Sequence, residues 1–211
     1  KSLVAGISGL ALLMGQEATA QVNPPSTAKY NMTSRPVIIY SGLPAACDDP
    51  VGRAANTWNA AGANFVFTGA GITWSQNAYN DGTGINIISA VLDGYGASVT
   101  TATTIYSMAS ATIIADSDVK VNNDLIYYPQ TTDTKKPYDF WCNDIIQGPI
   151  GSMADYESTI LHELGHTVGF GHRTDGTTGP CVMAASMARG TLKRSLCTDE
   201  AQKLRAVYGV R

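Results

Sequence analysis

The sequence predicts one globular domain of the α/β or α+β class, in which helices cover a twisted sheet. The chain has 211 residues, of which 44% are hydrophobic and 15% are charged, enough to bury a single core. Short β-branched runs flank an amphipathic helix in the first half, and a long helical pattern follows the last of these runs. No internal repeat or low-complexity block interrupts this order.

The first predicted elements are a strand and a helix. Residues 36–40, "PVIIY", are apolar enough to form a buried strand. Asp49 is expected to cap the helix that follows, with Pro50 in its first position and Gly62 near its end. One apolar face of this helix is formed at i, i+3, i+4 and i+7 spacing by Val51, Ala54, Ala55 and Trp58.

Four further strands are predicted before the long helix. Residues 64–69 and 85–91 read as single strands. The β-branched runs at 98–107 and 112–122 are separated only by the short segment 108–111, which predicts a hairpin.

The N-terminus has the pattern of a secretory signal peptide at residues 1–20. Lys1 precedes the apolar run "LVAGISGLALLMG", and "ATA" before Gln21 fits a cleavage site. This run is too short to span a bilayer, so we expect a secreted protein without a stable membrane anchor. Residues 21–34 are expected to form an extended N-terminal segment or a short propeptide.

Charge and cysteine content restrict the partners and the compartment. The formal net charge is -3 and no basic stripe is present, which argues against nucleic acid as a partner. Four cysteines in a secreted chain predict two disulfides, for which three pairings are possible. We prefer Cys181 with Cys197, which closes a short loop, and this leaves Cys47 with Cys142.

All three histidines of the chain fall within eleven residues, "HELGHTVGFGH". A helix that begins near Ser152 or Asp155 and continues to Gly169 would place His162 and His166 on one face, one turn apart. Gly169 would end that helix in a left-handed conformation and bring His172 to the same point. Three imidazoles hold Zn²⁺ with the fourth position open, as in catalytic zinc sites.

Glu163 follows the first of these histidines and is the expected general base. Beside the metal it takes a proton from a zinc-bound water and passes it to the leaving amine, so the predicted activity is that of a zinc endopeptidase. One alternative is a catalytically weak or inactive zinc protein that captures peptides without cutting them. A second is hydrolysis of a non-protein amide.

His162, Glu163, His166, Gly169 and His172 match "HExxHxxGxxH", and the chain resembles the metzincin zinc metallopeptidases in this signature. The resemblance implies a methionine turn below the metal, for which Met183 is favoured over Met187.

The layout from about residue 35 to 208 is most similar to the matrixins, or to a bacterial-type relative of them. That similarity implies a catalytic domain at 35–211, divided near residue 172 into an upper and a small lower lobe. The upper lobe would hold a twisted five-stranded mixed sheet, a backing helix and the active-site helix, and the lower lobe a helix at 198–209. An antiparallel edge strand, expected at 98–106, would bind an extended protein or peptide substrate.

The resemblance also has limits. No histidine remains for a second, structural zinc. Calcium binding is possible through Asp116, Asp118, Asp124 and Asp144, although no EF-hand spacing is present. We expect the protein to be a monomer.

Overall fold

The computed structural model describes residues 28–75, 81–90, 92, 100–122, 140–142, 153–173 and 181–211. The strands in these ranges are β1 Lys29–Tyr30, β2 Ser34–Tyr40, β3 Val66–Thr73, β4 Ile85–Ala90, β5 Ala102–Ser110, β6 Ile113–Asn122, β7 Phe140–Trp141 and β8 Ala154–Asp155. The α-helices are α1 Asp48–Asn59, α2 Tyr156–Thr167 and α3 Thr198–Tyr208, and a 3-10 turn at Ala45–Cys47 precedes α1. The predicted signal peptide lies outside the described residues.

The main sheet is a mixed sheet of five strands in the order β3–β2–β4–β6–β5. β2, β3, β4 and β6 are parallel, and β5 pairs with β6 in the antiparallel direction. β1 adds a short parallel pairing at the first residues of β6, Ile113 and Ile114. β5 therefore forms one edge of the sheet. The side of β5 that faces away from β6 pairs with no other strand of the described residues.

α1 and α2 pack against each other over the sheet. Trp58, the largest residue of the apolar face of α1, is 1% exposed and donates from its indole nitrogen to the carbonyl of Leu161 on α2, at 2.8 Å. The Trp58 ring also meets Phe170 edge to face, at 5.5 Å between centroids. Aromatic side chains that are fully buried contribute much of the apolar stabilisation of a core. The predicted inner face of α1 is thus the surface that supports the histidine-bearing helix.

The start of α1 differs from the prediction. Cys47, not Asp49, is the N-cap, and Pro50 occupies the third helical position. Because the 3-10 turn at Ala45–Cys47 leads directly into α1, the helix starts before the predicted cap Asp49. The sequence pattern does not reveal this turn. Pro50 is accommodated because none of the first backbone N–H groups of a helix has an intrahelical acceptor. The helix ends at Asn59, and Gly62 follows with a φ of 72°.

The bounds of β3 and β5 also differ from the prediction. β3 starts at Val66 and continues to Thr73, because its main chain pairs with β2 as far as Tyr40. The hairpin is present, but β5 begins at Ala102 and pairs to Ser110, so the connection is only residues 111–112. Main-chain pairing with a neighbouring strand decides where a strand ends, and side-chain pattern reports it only indirectly. Residues 98 and 99 of the predicted edge strand lie outside the described residues.

The structure forms both disulfides that were preferred from the sequence. Cys47 is bonded to Cys142 and Cys181 to Cys197. The first attaches the β7 region to the start of α1, and the second closes a loop that precedes α3. None of the helices in the described part of the chain is long and apolar enough to cross a lipid bilayer.

Candidate metal centre

The helix that carries the histidine motif is capped at both ends. Asp155, one of the two predicted caps, accepts a hydrogen bond from the backbone N–H of Ser158 at 2.9 Å. At the other end α2 stops at Thr167, and Gly169 adopts a φ of 92°. A side chain at Gly169 would collide with the carbonyl oxygen of Ala28. Gly169 therefore allows both the left-handed turn and a close approach of two chain segments.

The three histidines converge as predicted. The Nε2 atoms of His162 and His166 are 3.0 Å apart, and each lies 3.2 Å from Nε2 of His172. Three nitrogens bound tetrahedrally to one zinc at 2.0–2.1 Å would be about 3.3 Å from one another. The spacing of these atoms thus fits a single ion.

In two of the histidines, the hydrogen bond made by Nδ1 determines whether Nε2 carries a lone pair. Nδ1 of His162 donates to the carbonyl of Val182 at 2.7 Å, and Nδ1 of His166 donates to the carbonyl of Phe170 at 2.5 Å. In a neutral ring this places the lone pair on Nε2, so these atoms repel one another unless a cation lies between them. Burial and the adjacent His166 lower the pKa of His162 to about 3, which keeps its lone pair free. The donor set therefore fits zinc.

Glu163 lies beside these three histidines with a side chain that is almost wholly buried. The residue is 5% exposed and lines the same cavity, of about 540 Å³, as His162 and His172. Burial raises the pKa of Glu163, while the neighbouring His166 and a hydrogen bond from Thr104 oppose that change. The wall of this cavity includes several small residues: Thr100, Thr101, Ala102, Ala184, Ala185, Ser186 and Ala188.

Met183 packs directly beneath the helix, whereas Met187 is part of the cavity wall. Met183 has no exposed surface, and its sulfur fills the space that a side chain at Gly165 would need. Trp58 limits the same space, with Cζ2 at 2.8 Å from the position of a Cβ atom. Gly165 thus permits Met183 to contact the helix between the two histidines.

Sequence reasoning missed the residue that holds this methionine segment. Glu200, on α3, accepts hydrogen bonds from the backbone N–H groups of Met183 and Cys197, both at 2.8 Å, and of Val182 at 3.3 Å. Because the carbonyl of Val182 accepts a hydrogen bond from His162, Glu200 positions this candidate metal ligand through the backbone. Glu200 lies three residues after the helix cap Cys197, in the place of a capping-box glutamate, but a cysteine at the cap does not give the Ser/Thr-x-x-Glu signature in the sequence.

The possible calcium ligands are engaged by the protein itself. The carboxylate of Asp116 forms a buried ion pair with Arg35 and accepts from the N–H of Gly82 at 2.9 Å. Asp118 accepts from the backbone and side-chain nitrogens of Asn86, both at 2.9 Å. Asp124 and Asp144 lie outside the described residues. Calcium binding thus gains no support from the two aspartates that the structure places.

The chain is similar over part of its length to a known plant protein. No family model matches the chain. Over 74 residues, or 34% of the chain, the sequence is 32% identical to Metalloendoproteinase 1 of Glycine max, and the match covers 23% of that protein. The chain thus spans about a quarter of the length of this curated relative. The similarity is distant and partial homology to a plant metalloendoproteinase, and the group of His162, His166 and His172 is consistent with a metzincin zinc site.

Proposed function

We propose that this chain is a secreted zinc endopeptidase in which Glu163 is the general base. The observation that carries the proposal is the convergence of three histidine Nε2 atoms within 3.2 Å of one another, beside a buried carboxylate that faces the same cavity. A structural zinc site needs four protein ligands, whereas His162, His166 and His172 leave room for water or substrate. The partial homology to a metalloendoproteinase agrees with this chemistry.

The histidines and Glu163 have separate roles in the proposed hydrolysis. His162, His166 and His172 would hold zinc, which when bound supplies Lewis-acid polarisation of a water and of a substrate carbonyl. Glu163 takes a proton from the attacking water and returns it to the nitrogen of the scissile amide as the C–N bond breaks.

The substrate class follows from the strand next to the site. β5 is an edge strand beside Glu163, and an extended peptide can pair with its main chain. The cavity of about 540 Å³ has room for a substrate side chain. These features favour a protein or peptide over a small non-protein amide.

Further parts of the proposal concern the organisation of the chain. We assign residues 35–211 to the catalytic domain, with the lobes meeting near residue 172, and residues 1–20 to a signal peptide. The two disulfides agree with export to an oxidising compartment. The active unit is proposed to be a monomer, because all the proposed ligands and the base come from one chain.

The test compares cleavage of casein and zinc content in the wild type and in two variants. Glu163→Gln keeps the size of the side chain but cannot take up a proton, so we expect normal zinc content and at least a hundredfold slower cleavage. His172→Ala removes a ligand and should weaken zinc binding as well as cleavage. Cleavage at the wild-type rate by Glu163→Gln would contradict the assignment of the base. A wild-type protein that holds one zinc but cuts neither casein nor shorter peptides would instead be a peptide-capturing protein.

A further inference from the structure

A residue outside the histidine motif makes direct contact with the proposed base. Thr104 lies on the edge strand β5, opposite Val119 of β6. Its hydroxyl oxygen is 2.6 Å from Oε2 of Glu163 and 3.1 Å from the backbone carbonyl oxygen of the same residue. Thr104 therefore connects the edge strand to both the main chain and the side chain of one residue of α2.

The chemistry of the two groups sets the direction of this hydrogen bond. An ionised carboxylate has no proton to donate, so the hydroxyl of Thr104 donates its single proton to Glu163. The carboxylate oxygen is both the closer acceptor and the charged one, and hydrogen bonds to charged acceptors are the stronger kind. Glu163 is only 5% exposed, so little water competes for Oε2.

We infer that Thr104 is a positioning residue for the reaction, one that fixes the orientation of the Glu163 carboxylate. This inference rests on the proposed function of Glu163 as the base. With Oε2 bound to Thr104, the proton of the attacking water is taken up at Oε1. A carboxylate that is free to rotate would spend part of its time in orientations that cannot accept this proton, and misorientation is costly in general acid–base catalysis.

The location of Thr104 also connects substrate binding to the base. Thr104 belongs to the strand with which an extended peptide would pair, and its side chain reaches the carboxylate that acts on the same peptide. One strand therefore aligns the scissile bond with its main chain and the base with a side chain. None of the five residues of the histidine signature provides this alignment.

The experiment removes the hydroxyl and then restores it. Thr104→Val keeps the shape of the side chain, Thr104→Ser retains the hydroxyl, and Thr68→Val is the matched control on β3, at the opposite edge of the sheet. For each protein we would measure kcat and KM on one peptide and the zinc content. A crystal structure of Thr104→Val would locate the carboxylate of Glu163 independently of activity.

We expect Thr104→Val to lower kcat at least about tenfold, with KM within twofold of the wild type and zinc content unchanged. Thr104→Ser should stay within about threefold of the wild-type kcat, and Thr68→Val should equal the wild type. In the crystal structure of Thr104→Val, the carboxylate should leave its wild-type position or occupy more than one.

Several results would overturn the inference. These are an unchanged kcat in Thr104→Val, a Thr104→Ser variant as slow as Thr104→Val, an effect on KM alone, or a Glu163 carboxylate that does not move. If the wild type itself cleaves no peptide, the proposed function fails, and the position of the carboxylate in Thr104→Val still decides whether Thr104 orients it.

Discussion

Asp155 has the largest predicted effect on stability, because one buried carboxylate performs two structural tasks. Its side chain is fully buried and accepts from the N–H of Ser158 at 2.9 Å, which caps α2. It also binds Arg194 through two contacts, 2.9 Å from Nε to Oδ2 and 2.5 Å from Nη2 to Oδ1. The same residue therefore starts the histidine-bearing helix and attaches it to the segment before α3.

The expected cost follows from these two tasks. Losing a helix N-cap costs about 1 kcal/mol, and removing one partner of a buried ion pair costs roughly 3–5 kcal/mol. Asp155→Ala should thus lower the free energy of unfolding by about 4–6 kcal/mol, a large part of the roughly 5–15 kcal/mol typical of a domain. Asp155→Asn still offers an oxygen to the N–H of Ser158, so its cost should be about 1 kcal/mol smaller than that of Asp155→Ala.

The assay is urea unfolding followed by far-UV circular dichroism, with disulfides intact and zinc removed. Removing zinc matters because a bound ligand would add its own stabilisation to every variant. A loss below about 1.5 kcal/mol for Asp155→Ala would contradict the argument for a buried pair. Equal losses for Asp155→Ala and Asp155→Asn would show that the cap contributes nothing.

Two further substitutions test the turn after α2 and the loop before α3. Gly169→Ala should cost about 2–3 kcal/mol and weaken zinc binding, because φ is 92° and the new Cβ would meet the carbonyl of Ala28. Gly52→Ala is its control: nothing lies within 4 Å of a Cβ there, so urea unfolding should show equal or slightly higher stability. Replacing Cys181 and Cys197 by serine opens a loop with a sequence separation of 16 and should cost about 3 kcal/mol. A urea midpoint equal to that of the wild type would refute the expectation for Gly169→Ala, and the same result for the double serine variant would refute the expectation for the disulfide.

The sequence by itself determined the candidate metal site, because its members lie within eleven residues. Helix geometry alone places His162 and His166 on one face, and the need for a positive φ identifies Gly169 as the turn. Glu163 was predicted from the same short stretch. The five main strands were also predicted, since apolar and β-branched runs are local signals, although their ends were not.

Only the tertiary structure decided which distant residues support this site. Thr104 is 59 residues from Glu163, and Asp155 is 39 residues from Arg194. β5 holds two threonines, Thr103 and Thr104, and nothing in the run "ATTIYSMAS" distinguishes the one that contacts the carboxylate. The cysteine pairing was a preference among three alternatives until the chain path brought the partners together. Such contacts depend on strand register and helix packing, which arise from the whole core and not from neighbours in the chain.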